Sequence, residues 1–260
     1  MKSKCLILSA IVALAGFLPQ GKAQGTLGSA DSFAVLGGST VTSAGNTIIT
    51  GDLGVSPGTS ITGFFSVDGG PGIVNGTIHD NDTVAAQAEA DALTAYNNLA
   101  GEPVNTVLTG QDLGTLLLTP GVYFFSSSAQ LTGTLTLSGN GYFVFQIGST
   151  LTTASSSSIL LINGAQADDV FWQVGSSATL GTDTSFDGSI LADASITLNT
   201  GASLDGRALA LNGAVTLDDN VITAPTEVPE PGSLWLSAFC ASVFGAGQRL
   251  AGWRRKAGRS

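Results

Sequence analysis

The feature that most constrains the fold is an internal repeat with a period of 18 or 19 residues. The tetrapeptide Ser-Phe-Asp-Gly at 185–188 returns at 203–206 as Ser-Leu-Asp-Gly. A second motif keeps nearly the same period: a threonine lies between two apolar residues at Thr179, Thr197 and Thr216. About 18 residues suffice for three short strands and three turns, and alternation of apolar and small polar residues predicts strands with one buried face. The sequence therefore predicts a β-solenoid between residues 170 and 217.

Composition agrees with a compact, turn-rich protein of one or two domains. Charged residues make up only 11% of the 260 residues, whereas 35 glycines indicate many turns rather than long helices. The 43% hydrophobic content is enough to bury a core, which argues against a disordered chain.

The N-terminal segment, residues 1–23, predicts a secretory signal peptide. Lys2 and Lys4 precede an apolar run at 5–18, and Gly-Lys-Ala at 21–23 provides a small-residue cleavage site before Gln24. We therefore expect export through the secretory route.

The C-terminal segment, residues 224–260, predicts a linker and a sorting tail. The tail begins with the motif Val228, Pro229, Glu230 and Pro231, and an apolar run at 234–247 and a basic end at 249–260 follow. The apolar run is shorter than the ~20 residues of a comfortable transmembrane helix, and the basic end would stay on the cytoplasmic side. The segment resembles the PEP-CTERM sorting signal, which an exosortase recognises and removes; an ordinary tail anchor is the alternative. The expected location is the cell surface or the extracellular space, with transient anchoring by the tail.

Loss of both ends changes the chemistry of the chain. Cys5 and Cys240 lie in these segments, so the predicted mature chain has no cysteine and no disulfide. Arg207 is the only Lys or Arg left, against most of the 19 acidic residues. Such an acidic surface repels phosphate backbones, which excludes nucleic acid as a partner.

One segment predicts a helix rather than strands. Asp82 can cap an alanine-rich helix that ends at Gly101 and Pro103. Small and apolar residues recur at helical spacing on one face, which we expect to pack along the side of the solenoid; they are Val84, Ala88, Ala92, Ala95, Tyr96 and Leu99. The segments 142–148 and 170–175 occupy one slot of the repeat, and their longer step indicates an insertion between them.

Residues 24–223 resemble the ice-binding-like β-solenoid family of bacteria, algae and fungi. The resemblance is carried by Gly-Asp-Leu-Gly-Val-Ser-Pro at 51–57, the mid-chain helix and Val-Phe-Trp-Gln-Val-Gly at 170–175. It implies a mainly β fold, a right-handed, three-faced parallel β-helix with one long α-helix packed alongside. It also implies adsorption to ice or ordered water.

Two outward columns of hydroxyl side chains are candidates for the ice contact. Stacked strands are about 4.7–4.9 Å apart and alternate residues about 6.6 Å, a grid close to the repeats of ice. One column is Thr179, Thr197 and Thr216. The resemblance implies a second, near the family motif Thr-Ala/Gly-x-Thr/Asn; its candidates are Thr153, Ser156, Thr182, Ser185, Thr200 and Ser203. All three copies of that motif end in serine here, and one places Asp183 at the small position.

Groups that could support catalysis or bind a metal are scarce, so neither an enzyme nor a cofactor is expected. His79 is the only histidine, which argues against nucleophilic triads and zinc sites. The neighbouring carboxylates at 168–169 and 218–219 point to opposite faces if they lie on strands, so they fit turns better than an acid/base pair. Asp187 and Asp205 stack in Asp-Gly turns, which turn geometry explains; a bound calcium ion is the alternative.

Three functional hypotheses follow from these features. The leading one is a secreted, non-enzymatic ice-binding protein of the antifreeze type. The second is a scaffold or adhesin at the cell surface or in a biofilm matrix, with exopolysaccharide as its partner and no effect on ice. The third is a carbohydrate-active enzyme, which would need a cleft lined by carboxylates.

Overall fold

The computed structural model describes residues 27–225 and shows a parallel β-helix built from three sheets. Sheet A contains nine strands, in spatial order β7 (Ile78–Asp80), β4 (Asp52–Val55), β1 (Phe33–Gly37), β22 (Ala208–Ala210), β19 (Ser189–Ala192), β16 (Val170–Val174), β13 (Phe143–Ile147), β10 (Gly121–Phe125) and β8 (Thr106–Val107).

The other two sheets complete each turn of the coil. Sheet B contains β11 (Ala129–Leu131), β14 (Leu151–Thr153), β17 (Ala178–Leu180), β20 (Ile196–Leu198), β23 (Val215–Asp218), β2 (Thr40–Ala44) and β5 (Ser60–Thr62). Sheet C contains β6 (Ile73–Asn75), β3 (Ile48–Thr50), β24 (Val221–Thr223), β21 (Ser203–Asp205), β18 (Ser185–Asp187), β15 (Ser158–Ile162), β12 (Thr134–Ser138) and β9 (Leu117–Leu118). The predicted solenoid class is confirmed.

The helices are α1 (Phe65–Asp68), α2 (Thr83–Ala100) and two short 3-10 segments, Gly28–Ser32 and Ala167–Asp169. Helix α2 begins where the Asp82 carboxylate accepts hydrogen bonds from the backbone N–H groups of Val84 and Ala85, at 3.0 and 2.8 Å. At its other end the Gln146 side chain donates to the carbonyls of Leu99 and Glu102, at 2.7 and 2.9 Å, and so ties the helix to β13.

Helix α2 packs on the outer face of sheet A, as its small residues predict. Its buried residues are Ala85, Ala88, Ala92, Ala95 and Leu99. All of these except Ala85 cluster with the outward side chains Val122, Val144, Phe171, Leu191 and Leu209. The prediction that Val84 lies on the buried face is wrong: Val84 is 45% exposed, and Ala85, three residues before Ala88, faces the sheet instead.

Helix α2 also decides the path of the chain. The coil of β5, β6 and β7 closes one end of the stack, whereas β8, β11 and β9 lie at the other end. The helix connects β7 to the segment that begins at β8, and later coils return strand by strand. The last coil, β22, β23 and β24, therefore pairs with the first, β1, β2 and β3.

The core between the sheets is filled by the inward side chains of every coil. Phe145 and Trp172 stack with ring centroids 3.9 Å apart, and Phe186 follows at 4.9 Å from Trp172. Phe143 pairs with Val170 in register, which confirms that the segments 142–148 and 170–175 share a slot.

Candidate functional site

The outer surface of sheet B carries one column of threonines through almost all of its strands. Each of these residues is paired in register with the next, on β11, β14, β17, β20, β23, β2 and β5 in turn. The threonine column consists of Gln130, Thr152, Thr179, Thr197, Thr216, Thr42 and Thr62. The predicted column of three threonines is thus the middle of a longer one.

A second column runs beside the first, two residues earlier on each coil. The serine column consists of Ser128, Thr150, Ser177, Ser195, Ala214, Thr40 and Ser60. Its side chains are held in place by neighbours along the stack: Thr150 donates to the Ser128 hydroxyl at 2.8 Å, and the backbone N–H of Ser195 donates to the Ser177 hydroxyl at 3.3 Å. The Ser195 hydroxyl in turn accepts from the backbone N–H of Ala214 at 3.2 Å.

The two columns together, which we call the sheet B face, form a regular grid. Neighbouring strands of a sheet are about 4.7–4.9 Å apart and alternate residues about 6.6 Å. None of the side chains in the two columns is charged, and all except Gln130 are small or β-branched. Threonine has few rotamers because it is β-branched, so the positions of its methyl and hydroxyl groups are largely fixed before any ligand binds.

Thr153 lies inside the solenoid rather than on an outer column. It is 4% exposed, its hydroxyl is 2.8 Å from that of Thr184, and it accepts a hydrogen bond from the backbone N–H of Gly181 at 2.8 Å. It pairs with Leu131 and follows Thr152, so the alternation of a strand turns it inward. The motif predicts that Thr153 occupies the same position in its coil as Thr182 and Thr200 in theirs, but the observed register differs from that alignment by two residues. The buried hydroxyl of Thr153 therefore cannot contact ice.

The other candidates from the motif lie at the corner between sheets B and C or on sheet C. Thr182 and Thr200 are exposed in the turns that follow β17 and β20. Ser156 is exposed in a turn with a positive φ of 56°. Ser185 and Ser203 are paired with each other on sheet C, away from the threonine column.

The outer face of sheet C is chemically mixed. The column that contains Ser185 and Ser203 continues into Val221, Ile48 and Ile73, which are 40–51% exposed. The adjacent column contains Asp187 and Asp205 in register. Burial, and then repulsion from Asp205, raise the pKa of Asp187 to about 7. With α2 covering sheet A, the threonine and serine columns of sheet B form the broad uncharged surface that stays open on residues 27–225.

The ice-binding-like family model matches residues 35–223 of this chain. An ice-binding protein of Nostoc sp. (strain HG1) is 59% identical over 245 residues, which span 88% of this chain and 89% of that protein. The chain belongs to the ice-binding-like family. The crystal structure of an ice-binding protein from the Antarctic ascomycete Antarctomyces psychrotrophicus superposes with a TM-score of 0.74 at 43% identity, covering 78% of this chain and all of that one. An ice-binding protein from an Arctic yeast gives 0.71 at 34% identity, covering 80% and 96%.

Family membership confirms the resemblance seen in the sequence, but three of the six threonines in the threonine column were not predicted there. Thr42, Thr62 and Thr152 each follow an apolar residue, as Thr179, Thr197 and Thr216 do. That short pattern is the only sequence signal for them, because they lie outside the segment that keeps a period of 18 or 19 residues.

The groups considered for catalysis have structural partners. His79 Nδ1 is 2.7 Å from the Asp82 carboxylate, and Asp168 is 2.9 Å from the Arg207 guanidinium. Asp219 accepts a hydrogen bond from the backbone N–H of Asn46. Residues 27–225 contain no cluster of three or more side chains suited to a metal ion. In the same part of the chain, no helix is long and apolar enough to cross a membrane.

Proposed function

We propose that this chain is an ice-binding protein of the antifreeze type and that the sheet B face is its contact with ice. The observation that carries the proposal is the threonine column, which runs in register through seven strands beside a second hydroxyl-rich column. Family membership supports it, as do the relatives and solved structures that are named ice-binding proteins.

The physical reason is that a rigid grid can hold water in an ordered layer before it meets a crystal. Parallel backbone ladders fix the spacing in one direction, and the pleat fixes it in the other. Methyl groups exclude liquid water from the grid, and hydroxyl groups bond to the water that remains. Because few rotamers are frozen on contact, little conformational entropy is lost on adsorption.

We assign Thr182 and Thr200 to the rim of this contact, since they are exposed at the corner next to sheet B. Ser156, Ser185 and Ser203 lie beyond that corner, and we place them outside the contact. Adsorption of this kind needs no bond to be made or broken, so the proposed activity is non-enzymatic and uses no cofactor.

The test is a tyrosine substitution at the centre of the face. Thr197→Tyr places a bulky ring in the middle of the threonine column and holds the flanking hydroxyls away from a flat crystal. Thermal hysteresis and inhibition of ice recrystallisation should fall severalfold, whereas the matched control Thr50→Tyr, at an exposed outward position on sheet C, should retain wild-type activity.

Two results would contradict the proposal. A wild-type protein without effect on ice would refute the function. Equal losses in Thr197→Tyr and Thr50→Tyr, with both variants folded, would refute the assignment of the face.

Export and processing are further proposals that rest on the sequence, because residues 1–26 and 226–260 lie outside the described part of the chain. We propose that the signal is cleaved before Gln24 and that an exosortase removes the tail at or near residues 228–231. Mass spectrometry of the exported protein would identify both ends. Retention on exopolysaccharide without any effect on ice would instead favour the scaffold hypothesis.

A further inference from the structure

A carboxylate stands directly beside the middle of the threonine column, whereas Asp112, paired with Gln130, lies at the end of that column. Asp218 ends β23 and lies two residues after Thr216, so its side chain leaves the same outer face of sheet B. It pairs in register with Ala44 on β2, and Asn199 occupies the equivalent place after β20. Its neighbours in this third column are small or neutral, and Asp218 is the charged member; the column is Thr132, Ala154, Gly181, Asn199, Asp218 and Ala44.

The carboxylate is held by its surroundings at this place. The backbone N–H of Asp218 donates to the Asn220 side chain at 2.6 Å, and Asn220 is buried. The Asp218 carboxylate accepts the hydroxyl hydrogen of Thr200. Thr200 is exposed on the rim, so its hydroxyl is directed to a charged group instead of to the surface water of the sheet B face.

No cation on residues 27–225 can neutralise this charge locally. Arg207 is the only Lys or Arg there, and it is fully buried in ion pairs with Asp31 and Asp168. A carboxylate without a counterion retains its hydration shell strongly, since removing water from an unpaired charge is costly. Water oriented by a full charge does not match the neutral grid beside it.

We propose that Asp218 determines the limit of the ice contact. Its charge confines adsorption to the threonine and serine columns and keeps the water around Thr200 in a liquid-like state. The inference rests on the proposed function and deepens it. It makes Asp218 a residue that weakens adsorption and restricts which ice planes are bound, although it lies outside the two columns that contact ice.

The experiment removes the charge while keeping the shape. In Asp218→Asn the side-chain oxygen can still accept from Thr200, and the smaller Asp218→Ser matches the hydroxyl chemistry of the neighbouring columns. We expect the equilibrium constant for adsorption to ice to rise about tenfold, which corresponds to about 1.4 kcal/mol. Fluorescently labelled protein on single ice crystals should bind additional planes, and thermal hysteresis should increase.

The matched control is Asp80→Asn, because Asp80 is an exposed carboxylate on β7 at the end of sheet A, away from the sheet B face. It should leave adsorption at the wild-type value. If the wild type adsorbs and the folded Asn and Ser variants adsorb no better than it does, the role of Asp218 is refuted while the proposed function stands. A gain in Asp80→Asn equal to that in Asp218→Asn would also refute it, since total charge would then be the cause. A wild type that does not adsorb at all would overturn both proposals.

Discussion

Arg207 joins the beginning and the end of the described chain, and its replacement by methionine should be severely destabilising. The side chain is fully buried at the corner between β21 and β22. Its Nε donates to the carbonyl of Asp31 at 2.8 Å, and one terminal nitrogen donates to the carbonyl of Pro225 at 3.2 Å. Ion pairs to the carboxylates of Asp31 and Asp168 measure 2.7 and 2.9 Å.

The magnitude follows from which of these partners can regain water. Asp31 and Asp168 are 44% and 28% exposed, so their carboxylates rehydrate in part when the guanidinium is lost. The Ser189 hydroxyl, 3.3 Å from the guanidinium, is fully buried and loses this donor. Breaking a buried ion pair from one side costs about 3–5 kcal/mol, and partial rehydration favours the lower end. For a domain of this size about 3 kcal/mol lowers Tm by roughly 6–12 °C.

Thermal and denaturant unfolding of Arg207→Met, followed by circular dichroism, would measure the loss. Asp168→Asn is the comparison, because it removes one charge but leaves an oxygen that can accept from Arg207; it should cost about 1 kcal/mol. The double variant should be less destabilised than the sum of the two. A loss below about 1 kcal/mol in Arg207→Met would refute the reasoning, since it would mean that the buried network contributes no more than an exposed ion pair. Ice adsorption near 0 °C should persist, because Arg207 lies at the corner between sheets C and A.

Two partly buried carboxyl groups predict how stability depends on pH. Burial raises the pKa of Glu89 to about 8, and its Oε1 has no hydrogen-bond partner. The folded protein therefore has its full free energy of unfolding at a pH below 4.5, the ordinary pKa of a glutamate. That free energy declines as the pH rises from 4.5 through about 8, because the unfolded chain loses the Glu89 proton first. Glu89→Gln should remove this decline and stabilise the protein at pH 9, as urea unfolding at several pH values would show; an unchanged slope would contradict the prediction. For Asp187 the decline runs from its ordinary 3.8 to about 7, so Asp187→Asn should be more stable than the wild type at pH 8 but not at pH 3. Carboxyl NMR titration should find one aspartate that titrates near pH 7 in the wild type and is missing from this variant.

Local patterns in the sequence were enough to predict the coil, the helix and the family. The 18-residue period, the alternation around Thr179, Thr197 and Thr216, and the alanine stripe after Asp82 all report on neighbours that are near in the chain or repeat at a fixed step. Each coil of a solenoid contacts the next, so a regular period translates directly into stacked strands. The segment from residue 170 to 217, where the period is undisturbed, was therefore the part whose strands could be predicted in register.

The extent of the candidate site was decided by contacts that have no fixed spacing in the sequence. Thr42 lies beside Thr216 because α2 carries the chain to the far end of the stack, and the returning coils meet the N-terminal ones. The insertion between β15 and β16 likewise hides Thr152 from the period, and Thr153 points inward because it follows the outward Thr152 on the same strand.

What the sequence by itself determined is the kind of coil and the residues that face its core, because both follow from a period of two within strands and a period of 18 or 19 between them. The tertiary structure decided which coils are neighbours, and therefore that separate threonines form one column with Asp218 beside it. A protein surface that matches a crystal lattice needs regular spacing across many strands. That spacing arises only when segments distant in the chain pair in register.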